Sequence, residues 1–304
     1  MAKFRTNHSR QSDKGGNIIR IGLFSAILAA LVGIYNYFTG GDNAAPADPE
    51  EVIQPSDRQD DQDFYLPTST TGQVVKHTYY TLSYSEKHEQ AEWVAYVLTR
   101  ERLEIPWVER PDRFEPDPMV KTGSAEWYDY RGSGYDRGHL VPAADMAFSE
   151  EAIAETFFMS NISPQSRDFN KGIWKELEEL TRDWARKNKK LYVVTGPVLT
   201  RPIKGKIGDN EVSIPAAFYR VVLDLSEPEQ KGIAFILPNE VSYEPLFKYA
   251  ASIDEVEKLT GLNFFPDLMT DDLENQMERS YNIDLWPFSK QKFDLRVNQW
   301  NKSS

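Results

Sequence analysis

Tyr135-Asp136-Arg137-Gly138-His139-Leu140, Asn161-Ile162-Ser163-Pro164-Gln165 and Phe169-Asn170-Lys171-Gly172-Ile173-Trp174 are the three blocks on which the reading of this chain turns. Histidine, with an ordinary pKa of about 6.5, can take a proton from water at neutral pH, where a carboxylate is too weak a base. Arginine offers a planar fork of donors to an anion. An asparagine amide oxygen suits a hard cation such as Mg²⁺, which keeps most of its waters and takes only one or two protein oxygens. The blocks therefore assemble a base, an anion grip and a cation site within one short region.

Their local order reads strand, strand, helix. Gly132-Ser133-Gly134 gives a flexible entry to Tyr135, and Leu140, Val141 and Pro142 read as a short strand ending at a turn, with His139 on it. Ser149, followed by Glu150 and Glu151, reads as the cap of a short helix, and residues 157–162 as a second strand. From Asp168 the apolar residues Ile173, Leu177, Leu180 and Trp184 recur at helical spacing, and the basic residues of 186–190 gather where a helix C-terminus favours positive charge. Glu178 then lies two turns from Asn170, roughly 12 Å along the axis. Spacing alone leaves other roles open: Asn170 as a helix N-cap, Asp136 in a structural ion pair with Arg137 or another base, Glu178 as a solvated helix acid. His77, in a strand, and His88, in a polar turn, read as structural or surface residues. His8 precedes an apolar run and cannot join the site if that run spans a membrane.

Upstream, residues 73–84 alternate in a strand-like period and 92–98 follow as a second strand. Pro106, Pro111, Pro116 and Pro118 keep residues 105–119 extended, with Arg110 and Arg113 upon that segment. Downstream, 191–194, 218–225 and 233–237 are apolar runs suited to central strands covered on both faces. Ser252-Ile253-Asp254-Glu255 matches a capping box that opens a helix ending before Gly261, and the sequence after Pro266 is mixed.

The whole chain bounds the answer. Its 304 residues, 40% apolar and 12% aromatic, suffice for a sizeable core. Without cysteine there is no disulfide, thiolate metal site or catalytic thiol, so any metal sits on oxygen or imidazole nitrogen. A net charge of −12 argues against coating a polyanion by bulk electrostatics, so any grip on one must be local. Residues 1–20 carry Lys3, Arg5, Arg10, Lys14 and Arg20, and 21–38 form eighteen uncharged residues, long enough to span a bilayer. Acids follow that run, so 1–20 is expected in the cytoplasm and the remainder exported from a single anchor at 21–38. A cleaved signal peptide is the competing reading, disfavoured by the length of the run and by a poor cleavage site after it. Residues 39–72 read as an acidic, Pro/Gly-rich linker and 73–304 as the folded domain; residues 40–63 carry −7, which leaves −9 for 64–304.

The blocks Asp136-Arg137-Gly138-His139, Ser160-Asn161-Ile162-Ser163-Pro164-Gln165 and Asn170-Lys171-Gly172-Ile173-Trp174-Lys175-Glu176-Leu177-Glu178 together resemble the DNA/RNA non-specific endonuclease family, of the ββα-metal (His-Me finger) fold. The likeness continues at Trp93-Val94-Ala95-Tyr96, Val194-Thr195-Gly196-Pro197, Ile214-Pro215-Ala216-Ala217-Phe218-Tyr219 and from Ile253 to Gly261, so it covers roughly residues 73 to 268. It implies an α+β fold whose central, mostly antiparallel sheet is flanked by helices, here joined to one N-terminal transmembrane helix. It implies His139 as general base and Asn170 as direct ligand of Mg²⁺, with Mn²⁺ as a substitute. Glu178 is implied to bind the metal's water and Asp136 to order it; Arg137 and Asn161 belong to the catalytic pocket, and Arg113 takes the place of an upstream phosphate-binding arginine. DNA and RNA are the implied substrates, cut without sequence or sugar preference to 5′-phosphate and 3′-hydroxyl ends. The anchor departs from the secreted members. The alternative is a membrane-anchored nucleic-acid-binding or envelope protein that keeps the fold without catalysis.

Overall fold

The computed structural model describes residues 64–302. The anchor expected over 21–38 lies outside them; among the described residues no helix is long and apolar enough to cross a membrane.

The strands are β1 (Gln73–Lys76), β2 (Tyr80–Ser85), β3 (Gln90–Thr99), β4 (Tyr135–His139), β5 (Ile162–Ser166), β6 (Lys190–Pro197), β7 (Gly205–Ile207), β8 (Val212–Ile214), β9 (Ala217–Asp224), β10 (Lys231–Pro238) and β11 (Ala250–Ala251). Seven of them form one sheet in the order β1-β2-β3-β6-β9-β10-β11, while β4-β5 and β7-β8 pair separately. Every pair in the large sheet is antiparallel, with Val94 opposite Thr195 and Val194 opposite Val221 at its centre. The helices are α1 (Arg100–Glu104), α2 (Glu150–Glu155), α3 (Lys175–Asn188), α4 (Ile253–Thr260), α5 (Asp271–Arg279) and α6 (Lys290–Asn298).

The sheet is a middle layer. Along β3, Val94, Tyr96 and Leu98 join one core with Leu177, Leu180 and Trp184 of α3. The alternate residues Trp93, Ala95 and Val97 join a second core with Ile253 and Val256 of α4 and Met277 of α5. Because side chains alternate between faces, a strand covered on both sides must be apolar throughout. That is why the central strands read as unbroken apolar runs.

Two boundaries near the start of the domain differ from the sequence reading. Residues 73–84 are two strands joined by a tight turn, the His77 amide donating to the Tyr80 carbonyl at 2.9 Å. The alternation stays in phase across that turn, and no glycine or proline marks it. The chain already packs from Phe64: Tyr65 is buried against the second core and Thr68 bridges to Asn263, so the segment before Gln73 is partly domain. The mixed C-terminal region is also integral, since buried Arg296 of α6 binds Glu176 of α3 and the carbonyls of Ser242 and Glu244.

Candidate active site

The strand carrying the Asp-Arg-Gly-His block is β4 itself and ends at His139, rather than running over 140–142. Its partner β5 begins at Ile162, after a 3-10 turn at Met159–Asn161, rather than covering 157–162. The register sets Gly138 opposite Ser163 and Arg137 opposite Pro164. Gly138 is required by close approach: a Cβ there would lie 2.2 Å from the Gln165 side chain. Pro164 is tolerated because a two-stranded sheet has only edges. The chain then enters a π-helical turn, Phe169–Trp174, which leads into α3 and breaks at Gly172 (φ −100, ψ −110). The two strands and this turn place Asp136, Arg137 and Asn170 on one cavity of about 510 Å³, shared with Arg110, Phe114 and Trp127.

Asn170 lies within that turn and does not cap it. Its Nδ2 donates to Asp136 Oδ2 at 3.1 Å, which leaves Oδ1 as the acceptor available to the cavity. The other Asp136 oxygen is 3.9 Å from Arg167 Nη1, so its ion pair is with Arg167 and not with Arg137. A fixed amide oxygen among oxygen donors fits a hard divalent cation that keeps most of its waters.

His139 does not itself line the cavity; it packs behind Phe114, which does. Its half-buried ring is boxed by Phe114 at 5.6 Å and Phe157 at 4.9 Å, and its Nε2 is buried with no hydrogen-bond partner. The guanidinium of Arg137 lies over Phe114 at 4.3 Å, and that of Arg110 over Phe157 at 5.0 Å. Burial first, and then the charges of Arg110 and Arg137, lower the imidazole pKa to about 3. The ring is therefore neutral and, while it stays buried, a weaker base than free imidazole. Trp174 Nε1, from the π turn, donates to the His139 carbonyl at 3.4 Å and ties helix to strand.

The remaining expected residues divide. Arg113 is not on the cavity: its side chain is 81% exposed and pairs with Glu115, whereas Arg110 lines the cavity. Of the two arginines on the proline-rich segment, Arg110 lines the cavity, where it is ion-paired to Asp112, and Arg113 does not. Asn161 is fully buried, and both ends of its amide are used: Oδ1 accepts from Val141 N at 2.9 Å, and Nδ2 donates to the carbonyls of Val141 (3.1 Å) and Thr156 (2.9 Å). It holds the chain just beyond His139 rather than opening on the pocket. Glu178, on α3, is raised to about 7 by burial, against the lowering charges of Arg220 and Arg182 and with Asp145 and Glu179 raising it further.

The sequence reading missed the charged network around Glu178. Arg182 Nη1 donates to Asp145 at 2.7 Å, and Tyr96 OH donates to the same carboxylate at 2.8 Å. Fully buried Arg220 lies 4.9 Å from the Trp174 ring and donates to the Leu140 carbonyl at 3.4 Å. Arg182 stands four residues after Glu178, so helical spacing could have paired them; nothing local marks Asp145 or Arg220. The cavity wall also contains Trp127, Tyr130 and Arg131, whose roles no motif announced. His77 and His88 are structural as expected, His77 Nε2 lying 3.0 Å from buried Asp117 and His88 Nδ1 3.0 Å from Ser213 Oγ.

The sequence profile of the DNA/RNA non-specific endonuclease family matches residues 62–271. The mitochondrial nuclease EXOG of Xenopus laevis is 33% identical over 272 residues, covering 84% of this chain and 74% of its own. Human mitochondrial EXOG is 35% identical over 217 residues, 66% of this chain and 59% of the human protein, so the chain spans about three-fifths of that relative. Human mitochondrial endonuclease G is 33% identical over 210 residues, 65% of this chain and 71% of its own. The solved EndoG/EndoGI complex contains a chain that superposes with a TM-score of 0.62 at 29% identity, covering 68% of this chain and 91% of that one. With the profile spanning the strands, the π turn and both layers of helices, the chain belongs to the DNA/RNA non-specific endonuclease family.

Proposed function

We propose that this chain is a divalent-cation-dependent endonuclease that hydrolyses DNA and RNA without sequence or sugar preference, leaving 5′-phosphate and 3′-hydroxyl ends. The observation that carries the reading is geometric: His139 Nε2, buried without a hydrogen-bond partner, packs on Phe114 beside Arg137, and both of those line the cavity that holds Asn170. His139 Nε2 accepts the proton of a water as the water oxygen bonds to phosphorus, and hydration of the site by that water relieves the burial that holds the imidazole pKa down. Arg110 and Arg137 hold the phosphate oxygens. The phosphate offsets their charge, which removes that part of the depression of the His139 pKa just as the base must bind a proton. The phosphorus–3′ oxygen bond breaks, and solvent protonates the departing oxygen. Asn170 would hold a divalent cation and Glu178 would take the part of a partner to its water; when bound, the ion would supply positive charge for phosphate-ester cleavage. Asp136 keeps the Asn170 amide oriented. Contacts to phosphate and not to base edges leave sequence unread.

A plasmid-nicking assay tests this directly. Supercoiled DNA and an RNA transcript should both be cut with Mg²⁺ or Mn²⁺ and neither in EDTA, and Asn170→Ala should need far more Mg²⁺; cutting that persists in EDTA rules the site out. The N-terminal charge pattern supports an exported domain on an uncleaved anchor at 21–38. Protease on the exported side of the membrane should then release a soluble fragment, and a domain protected from it would place the site in the cytoplasm.

A further inference from the structure

Across the sheet from the cavity, α4 and α5 cover the second core. Asp254 and Glu257 are three residues apart and share a face of α4, while Glu278 stands in the last turn of α5. One oxygen from each carboxylate lies within 4.8 Å of the other two. Glu278 is the anomaly among them: the residue is 6% exposed, and its Oε1 is buried with no hydrogen-bond partner. A carboxyl oxygen removed from water without a donor is unfavourable unless a cation or proton satisfies it. The charged groups around it are Glu257, Glu274 and Asp254, all negative, and with burial they hold the carboxyl up at about 8.

We propose that Asp254, Glu257 and Glu278 form a second, structural cation site, of the hard oxygen-donor kind that takes Ca²⁺, that clasps α4 to α5. Ca²⁺ takes oxygen at about 2.3–2.6 Å, so ligands on opposite sides of the ion stand up to about 5 Å apart; Mg²⁺, at about 2.0–2.1 Å, would need them within about 4.2 Å. The three oxygens, all within 4.8 Å of one another, lie inside the span that ligands of one Ca²⁺ ion cover. An all-carboxylate set also favours hard ions over zinc or copper. The site is held in advance. The Ser252/Glu255 capping box fixes the start of α4 and left-handed Gly261 its end, and Glu257 Oε1 accepts from Phe264 N at 2.8 Å. Asp254 and Glu257 are only half-buried, which leaves an entry and room for water to complete the coordination.

Calcium binding by the full chain is the test, measured by calorimetry and by Tm with Mg²⁺ in excess to occupy the catalytic cavity. The wild type should take up Ca²⁺ and gain Tm as calcium rises. Glu278→Gln and Asp254→Asn should each weaken uptake at least tenfold and abolish that gain, while still cutting plasmid with Mg²⁺. Should Glu278→Gln fail to fold, the half-exposed Asp254→Asn decides alone. No calcium uptake by the wild type, or uptake unchanged in the variants, overturns the proposal. Neither readout requires nuclease activity, so the two readings fail separately.

Discussion

His139 is held neutral by its surroundings rather than by a partner: a ring boxed by Phe114 and Phe157, with Arg110 and Arg137 close by. Its folded pKa, lowered from 6.5 to about 3, means that the unfolded chain binds more protons between those values. The stability it contributes is complete above the unfolded pKa and is lost as pH falls through the folded one. The same depression fixes the acid limit of catalysis. The acid limb of the pH profile of kcat/KM should lie below 6.5, and His139→Ala should lower turnover by about 10²–10⁴ while leaving a folded protein. Near-wild-type cutting by the variant would remove His139 from its role, and an acid limb near 7 that Glu178→Gln abolishes would belong to Glu178.

At the scale of elements, the site is a unit of β4, β5 and the π turn leading into α3, joined by a few buried polar links. Trp174 binds the His139 carbonyl, Arg182 binds Asp145, and Asn161 closes the gap between β5 and the chain after β4. Asn161→Ala would leave the Val141 amide and carbonyl and the Thr156 carbonyl without their partner. An unsatisfied buried group costs about 1–3 kcal/mol, so the substitution should destabilise by on the order of 3 kcal/mol. For a domain of this size that lowers Tm by about 10 °C. Differential scanning calorimetry separates this from a purely catalytic role, which would leave Tm unchanged and remove activity alone.

For the molecule as a whole, charge is the constraint. Residues 64–304 carry −9, yet the cavity gathers Arg110, Arg131 and Arg137 against Asp112 and Asp136. Long-range repulsion and a small local grip predict a shallow salt dependence. Each phosphate contact on duplex DNA adds about 0.9 to the slope of log K against log salt, so roughly −2 to −4 is expected, against about −10 for a repressor that covers many phosphates. Binding titrations with a non-cutting variant should show Arg110→Ala lowering the slope by about one unit on DNA and RNA alike, with Arg113→Ala nearly silent. The reverse order would restore Arg113 as the phosphate ligand.

The sequence by itself determined what rests on local hydrogen bonds or on burial of both faces of a strand. The cap at Ser149, the box at Ser252 and the stop at Gly261 are contacts between near neighbours. The central strands are apolar at nearly every position because each face has its own core. The three blocks likewise stood out because base, amide and arginine lie close together along the chain. What only the tertiary structure decided depends on partners distant in sequence. β4 and β5 are polar strands whose residues serve the site, so no apolar period marks their limits. Arg110 faces the cavity and Arg113 solvent because Val108 bonds to Ala147, and Glu115 to Phe157 and Met159, fixing how the proline-rich segment crosses the site. Buried charges such as Arg220, Arg296 and Glu278 read as ordinary surface residues in one dimension. Their roles come from the elements that close over them, because removal from water is a property of the packed fold and not of the residue.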